Sequence, residues 1–254
     1  MPGREKKAFE AARRDFFTLG KRKIARYHWG NTGPIVLLVH GWNGRGTQLV
    51  PFIEPLLDAG YQVLSFDAPG HGHSDGKTTS GMEIIQALQY LARKHGPFKA
   101  VITHSFGGLC AAAALAQGMA AHQAVFIAPP ANLLGLLDKF SDALRLNGKT
   151  TQVIQALGEQ QFGADIWAHV STISNASKLT IPGLIIHDEQ DQEVPWQEGA
   201  AVAQAWVNAR WMKTSGLGHR RILRDRNVLN TIIDFIRSSK TRESSGQHTA
   251  LPLG

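Results

Sequence analysis

The feature that most restricts the fold of this 254-residue chain is the alternation of short apolar runs with amphipathic segments. Unbroken Ile-, Val- and Leu-rich runs predict strands that are buried on both faces, which is typical of parallel sheets. The segments between them carry apolar residues at helical spacing. This alternation predicts βαβ units, and so a mostly parallel central sheet flanked by helices. The predicted strands of this kind lie at 34–39, 63–66, 100–102, 124–128 and 181–186.

The carboxyl ends of these strands are expected to meet along one edge of the sheet, because βαβ crossovers are right-handed. Sites of such folds lie along that edge. The loops that contain Trp42, Gly70, Ser105 and Pro130 should therefore converge. Further strands are predicted at 24–29 and 210–213, and helices at 47–60, after Thr79 or Ser80, and around Ile232.

The positive charge of the chain is concentrated at its start. Residues 1–26 hold nine basic and three acidic residues, a surplus of six within a net charge of +7. A basic arm can bind nucleic acid or anionic lipid. Acidic residues are interspersed, however, and Phe9, Phe16 and Phe17 favour a helix that lies on the body of the protein. We therefore expect a solvated face and no nucleic-acid partner.

Cysteine use and hydropathy suggest a cytoplasmic protein. The one cysteine, Cys110, excludes an internal disulfide framework and suits a reducing compartment. No stretch is long enough for a membrane span, and the N-terminus lacks the apolar core of a secretory signal. A monomer or a homodimer is expected.

Residues 101–108 predict a strand, a sharp turn and a helix, with Ser105 at the apex and two glycines behind it. A turn this sharp strains its apex residue and requires small neighbours. It projects the serine oxygen away from the sheet, beside the free backbone N–H groups of the helix N-terminus. The alternative is a serine that merely caps an ordinary crossover helix.

Two further residues complete a candidate catalytic set, since Ser105, Asp191 and His219 each follow a predicted strand. A serine hydroxyl needs a base to take its proton, and imidazole suits that role. A buried carboxylate fixes the imidazole tautomer and stabilises the imidazolium that forms during attack.

These features resemble the α/β-hydrolase fold superfamily, in its compact bacterial serine-esterase-like branch, over residues 34–236. Residues 103–107 are similar to the family's small-x-Ser-x-Gly elbow, with Thr103 where Gly is commonest. Residues 67–74 are similar to its D-x-P-G-x-G-x-S loop, which we interpret as structural. The His-Gly pair at 40–41 resembles its oxyanion loop. The resemblance implies that the backbone N–H groups of Trp42 and Phe106 hold an oxyanion.

The resemblance also bears on the catalytic acid. Residues 185–191 resemble a strand that ends in G-x-x-D, and Asp191 then takes the acid position. Asp188 stands where the family has Gly, so it remains the alternative acid. His219 matches the terminal Gly-His of the family.

Other polar residues near the predicted edge are candidates for substrate binding. Arg45 can meet an acidic substrate group or pair with a nearby carboxylate. His40 and His104 flank the site, where they bind substrate or hydrogen-bond its loops. His71 and His73 have no partners at metal-ligand spacing, so neither a metal nor another cofactor is expected.

The predicted organisation has four parts. They are a basic N-terminal arm (1–22), a core (23–131 and 180–238), a helical lid inserted over the site (132–179) and a disordered polar tail (239–254). The helices of 132–179 are alternatively ordinary core helices.

The predicted activity is cleavage of carboxylic esters with small or medium acyl chains, through an acyl-enzyme. A thioesterase or an amidase with the same triad is the nearest alternative. An alternative of another class is a non-catalytic binding protein on the same fold.

Overall fold

A single eight-stranded sheet forms the centre of the computed structural model, which describes residues 3–238. In chain order the strands are β1 (Arg13–Leu19), β2 (Arg22–Trp29), β3 (Ile35–Val39), β4 (Gln62–Phe66), β5 (Ala100–His104), β6 (Ala124–Ile127), β7 (Gly183–Asp188) and β8 (Ala209–Thr214). Across the sheet the order is β1-β2-β4-β3-β5-β6-β7-β8. Strand β2 runs antiparallel to both of its neighbours, and the other neighbouring pairs are parallel. The predicted mostly parallel sheet is confirmed.

Helices connect the strands. Those of the described residues are α1 (Gly3–Ala11), α2 (Ile53–Asp58), α3 (Gly81–His95), α4 (Phe106–Ala116), α5 (Leu133–Ala143), α6 (Gly148–Phe162), α7 (Ile166–His169), α8 (Thr172–Ala176), α9 (Trp196–Ala205), α10 (Gly218–Arg221) and α11 (Arg226–Ser238). Ser80 caps α3 in a capping box with Glu83. Among these helices none is both long and apolar enough to cross a membrane.

Two apolar cores lie on opposite faces of the sheet because successive strand residues point to opposite sides. In β3, Leu37 and Val39 pack towards α3 and α4, whereas Val36 and Leu38 pack towards α2 and α11. Burial on both faces explains why the parallel strands are continuous apolar runs. The sheet is thereby fixed between two helical layers, and only its edges and ends remain for a site.

Two local predictions are wrong. The N-terminal segment is not one helix, because α1 ends at Ala11 and residues 13–19 form the edge strand β1. Phe17 is buried there and Phe16 is exposed, which is the alternation of a strand. The sheet thus extends into the segment assigned to the basic arm. The helix predicted at 47–60 is shorter, since Val50–Phe52 form a 3₁₀ turn before α2.

The predicted lid segment, residues 132–179, forms helices α5 to α8. Asn132 and Ser171 pair in an antiparallel bridge at the base of the segment. Beyond that bridge, α8 packs against α4 and α9 and contributes the buried Ala176 to the core. By contrast, α6 contains no buried residue. The polar tail predicted at 239–254 lies outside the described residues.

Candidate active site

Ser105 lies at the turn between β5 and α4, with φ +51° and ψ −124°. A non-glycine residue is strained in this conformation, and such strain is concentrated at functional sites. A Cβ on Gly107 would lie 2.6 Å from the carbonyl oxygen of His40, so the turn requires glycine there. The glycine therefore lets the start of α4 pack closely against the end of β3, where residues 40 and 41 lie beside Ser105.

His219 and Asp191 form a hydrogen-bonded pair that comes from two other loops. Nδ1 of His219, at the start of α10, lies 2.6 Å from Oδ2 of Asp191, which follows β7. Both side chains are buried. Because Nδ1 is held by the carboxylate, Nε2 of His219 is the nitrogen left for a proton transfer.

The Asp191 carboxylate is held by several donors. Its Oδ1 accepts the backbone N–H groups of Glu193 and Val194, each at 2.9 Å. Nε2 of His187 lies 3.2 Å from Oδ2. Burial opposes ionisation, but the hydrogen bonds from His187 and His219 outweigh it and hold the pKa of Asp191 far below its usual value. Asp191 is therefore a fixed negative charge beside the imidazole.

Asp188, the alternative acid, has a different set of partners. It is fully buried, and its carboxylate accepts the backbone N–H groups of Gln190, Leu217 and Gly218 and the hydroxyl of Thr214. Burial opposes ionisation here too, but these hydrogen bonds lower its pKa below the usual value. Two of these amides directly precede His219. Asp188 thus fixes the loop that carries the histidine, whereas Asp191 contacts the histidine ring.

A cavity of about 730 Å³ brings the candidate residues together. Ser105 and His219 line its floor, and side chains of α5, α6 and α7 line it as well. The lining side chains from these helices are mostly apolar: Leu133, Leu136, Leu137, Phe140, Ile154, Phe162, Ile166 and Trp167. Ser105 and His219 thus face an apolar chamber between the sheet edge and the predicted lid segment.

The backbone N–H groups of Trp42 and Phe106 are available for a ligand. Within residues 3–238, neither amide donates a hydrogen bond to a protein acceptor. Both residues line the cavity, and their rings meet edge to face at 5.0 Å. Trp42 lies in the turn of residues 41–48, which we call the oxyanion loop after the role predicted for the Trp42 amide.

His40 and His104 hydrogen-bond the loops around the site. Nε2 of His40 accepts the Ala68 N–H at 2.9 Å, and its Nδ1 lies 2.8 Å from the carbonyl oxygen of Gly41. Nε2 of His104 donates to the carbonyl oxygen of His219 at 2.9 Å. Backbone groups occupy both ring nitrogens of His40, which fits the interpretation that it hydrogen-bonds the loops. His104 lines the cavity and remains a candidate.

Burial makes His104 a source of pH-dependent stability. Burial, followed by its proximity to His219, lowers the pKa of His104 from 6.5 to about 3. In the unfolded chain His104 binds a proton near pH 6.5, whereas in the folded chain it stays neutral until about pH 3. The free energy of unfolding therefore falls as the pH drops from 6.5 towards 3. At pH 5 we expect this to cost about 2 kcal/mol.

Urea denaturation at pH 8 and pH 5 measures this dependence. In the His104→Gln variant the loss of unfolding free energy between the two pH values should shrink by about 2 kcal/mol. His122→Gln, at an exposed histidine, is the matched control and should keep the wild-type loss. An unchanged loss in His104→Gln would contradict the assignment.

The structure gives Arg45 a carboxylate partner. Its Nε donates to Oε2 of Glu5 at 2.8 Å, which fits the second of the two interpretations. As it also lines the cavity, a substrate contact stays a prediction.

Sequence reasoning missed Glu5, His187 and Gln48, whose Oε1 accepts the Gly41 N–H at 3.1 Å. Glu5 acts on residues about 40 positions away along the chain. Gln48 and His187 act on nearby residues, but only the folded loops bring these groups into contact.

The loop of residues 67–74 is structural. The buried Asp67 carboxylate accepts from the Tyr27 hydroxyl at 2.6 Å and from the backbone N–H groups of Gly46 and His73. The side chains of residues 3–238 contain no group of three His, Cys, Asp or Glu residues arranged to hold a metal ion. The hydrogen bonds of Asp67 hold this loop beside Tyr27 and Gly46.

Comparison with known proteins gives the family whose model this sequence matches. A model described as the alpha/beta hydrolase family matches residues 36–230. The lysophosphatidylserine lipase ABHD12 of Danio rerio is 25% identical over 240 residues, which cover 81% of this chain and 58% of that protein. This chain therefore spans little more than half the length of that relative.

Two further relatives carry the names of different activities. The non-heme chloroperoxidase CPO-A1 of Kitasatospora aureofaciens is 25% identical over 246 residues, covering 75% of this chain and 86% of that protein. The solved structure of the Pyrococcus furiosus esterase Pf2001 superimposes with a TM-score of 0.68 at 20% identity, covering 89% of this chain and 92% of that one. At this identity the structural likeness concerns the fold alone.

Proposed function

The chain belongs to the alpha/beta hydrolase family, and from that premise we propose that it is a serine hydrolase that cleaves carboxylic esters of small or medium acyl chain length. Its triad is Ser105, His219 and Asp191. The observation that carries the proposal is the strained Ser105 in one apolar cavity with a histidine that an ionised aspartate holds at 2.6 Å.

The first half of the reaction acylates Ser105. Nε2 of His219 takes the hydroxyl proton as Oγ attacks the ester carbonyl carbon, and Asp191 stabilises the resulting imidazolium. The carbonyl oxygen gains negative charge and is held by the N–H groups of Trp42 and Phe106. When the tetrahedral intermediate collapses, the imidazolium gives its proton to the departing alkoxide.

The second half releases the acid. A water molecule loses a proton to His219 and attacks the acyl carbon through the same oxyanion site. The returning proton regenerates the Ser105 hydroxyl as the carboxylic acid leaves. Each of these steps uses side chains and backbone groups of the chain itself.

The apolar side chains of α5 to α7 support a bounded acyl site, with the predicted lid segment as its roof. Each methylene that fits beneath the roof adds up to about 0.8 kcal/mol, or roughly fourfold in kcat/KM. With p-nitrophenyl esters, rates should therefore climb from the acetate and drop once the chain exceeds the cavity.

Two variants, one in α5 and one at the residue directly after it, test the roof. Leu137→Trp fills part of the cavity, so the preferred acyl chain should shorten while the rate on the acetate is kept. Leu144→Trp is the control, because Leu144 is exposed outside the cavity. If Leu137→Trp leaves the chain-length profile unchanged, the helices do not bound the acyl site. Hydrolysis of thioesters without any ester hydrolysis would replace the esterase by a thioesterase.

A further inference from the structure

Helix α1 reaches the cavity although it precedes the residues that match the family model, 36–230. Glu5, in the first turn of this helix, lines the cavity together with Ser105. Its side chain is only 8% exposed. A carboxylate is rarely buried to this degree unless it is paired, so the partners of Glu5 indicate its role.

Both partners of Glu5 belong to the oxyanion loop. Its Oε2 accepts one hydrogen bond from Nε of Arg45 at 2.8 Å and another from the Thr47 hydroxyl at 2.9 Å. These donors lie on either side of Gly46. A single carboxylate oxygen therefore ties α1 to two points of the loop that contains the Trp42 amide.

The oxyanion loop has a backbone that is costly to order. It contains three glycines, and Asn43 adopts a φ of +57°. One other tie comes from the core, where the buried Asp67 accepts the Gly46 N–H at 2.6 Å. A further hydrogen bond lies within the loop, where Gln48 accepts the Gly41 N–H at 3.1 Å. The Glu5 carboxylate adds a tie from the outer side of the loop.

We infer that Glu5 is a positioning residue that holds the oxyanion loop in place, and that helix α1 is thereby part of the active site. The inference rests on the proposed function. Glu5 acts through the loop and not on the acyl chain. Its loss is therefore expected to weaken binding of the oxyanion in the transition state, with little effect on binding of the substrate.

Helix α1 has anchors that do not depend on Glu5. Nε1 of Trp29 donates to the carbonyl oxygen of Ala8 at 2.8 Å, and the ring of Phe9 stacks on that of His73 at 4.9 Å. Substitution of Glu5 should therefore leave the helix docked and the protein folded, so the functional effect can be measured.

The test compares variants on a short-chain p-nitrophenyl ester. Glu5→Ala should lower kcat about 10- to 100-fold and leave KM within about twofold. Glu5→Gln keeps a side-chain oxygen that can accept both hydrogen bonds and should recover most of kcat. Glu10→Ala, at a largely exposed glutamate of the same helix, is the matched control and should behave as wild type.

The affinity of a trifluoromethyl ketone gives a second measurement, which would not change if Glu5 had only a structural role. Ser105 Oγ adds to its carbonyl carbon and the proton passes to His219, so the hemiketal oxygen carries the charge of the transition state. Its affinity for Glu5→Ala should fall by the same factor as kcat/KM. If Glu5→Ala fails to fold, Thr47→Val removes one of the two hydrogen bonds and should weaken inhibitor affinity in the same direction.

If Glu5→Ala has the same kcat and inhibitor affinity as an active wild-type enzyme, the inference is overturned and the proposed function stays intact. A rise in KM with unchanged kcat would also overturn the inference, because such a change would place Glu5 in substrate binding. A wild-type enzyme that hydrolyses no ester and binds no ketone would overturn the proposed function and the inference together.

Discussion

Replacing Ser105 by Ala is expected to reduce ester hydrolysis by about 10⁴- to 10⁶-fold, because the variant has no oxygen that can form an acyl-enzyme. The oxyanion amides remain, so a small residual rate above that in water is expected. The backbone strain at this position is the same for Ser and Ala, and unfolding should therefore change little. Initial rates on a p-nitrophenyl ester, together with thermal melting, measure both effects.

Ser80 provides the control for this experiment, since it also lines the cavity. The Ser80→Asn variant removes its hydroxyl but keeps a side chain that can cap α3. It should retain activity close to that of wild type. Loss of hydrolysis in Ser80→Asn with activity kept in Ser105→Ala would assign the nucleophile to Ser80.

The second large effect is expected from the acid. Asp191→Asn should lower kcat by about 10⁴-fold, because an amide does not fix the His219 tautomer or stabilise the imidazolium. Asp188→Asn should lower kcat much less and stability more. Its amide group would face one of the backbone N–H groups that the carboxylate now accepts, and an unsatisfied buried donor costs about 1–3 kcal/mol.

Steady-state rates and denaturant midpoints of both variants give the ranking. We expect Asp191→Asn to lose more of its kcat than Asp188→Asn. In Asp188→Asn the loss of stability should be the larger effect. A larger catalytic loss in Asp188→Asn would move the acid to that residue. His219 would then have to be oriented by a carboxylate that it does not contact.

The parallel part of the fold could be predicted from the sequence because burial on both faces leaves a direct trace. Residues 34–39 and 181–186 are continuous apolar runs, and each overlaps a central strand. The edge strand β1 could not be recognised in this way, because only one of its faces is buried and the strand is not a continuous apolar run. Its basic residues and the phenylalanines Phe16 and Phe17 fit an amphipathic helix as well as a strand.

The candidate site was predictable where its residues depend on local geometry. The strain at Ser105 needs small neighbours, and the glycines behind it mark the turn. The order of Asp191 and His219 along the chain follows from the order of the strands. Glu5 was not predictable, because its partners lie about 40 residues away along the chain and it stands among other charged residues.

Mass spectrometry after reaction with a fluorophosphonate is the most direct test that Ser105 is the nucleophile, because this reagent needs an activated serine but no knowledge of the natural substrate. We expect a single covalent adduct, located on the peptide that contains Ser105, and no labelling of Ser105→Ala. The rate of labelling should also fall sharply in His219→Ala. An adduct on Ser74 or Ser80, or a folded wild-type protein that takes up no label, would refute this assignment.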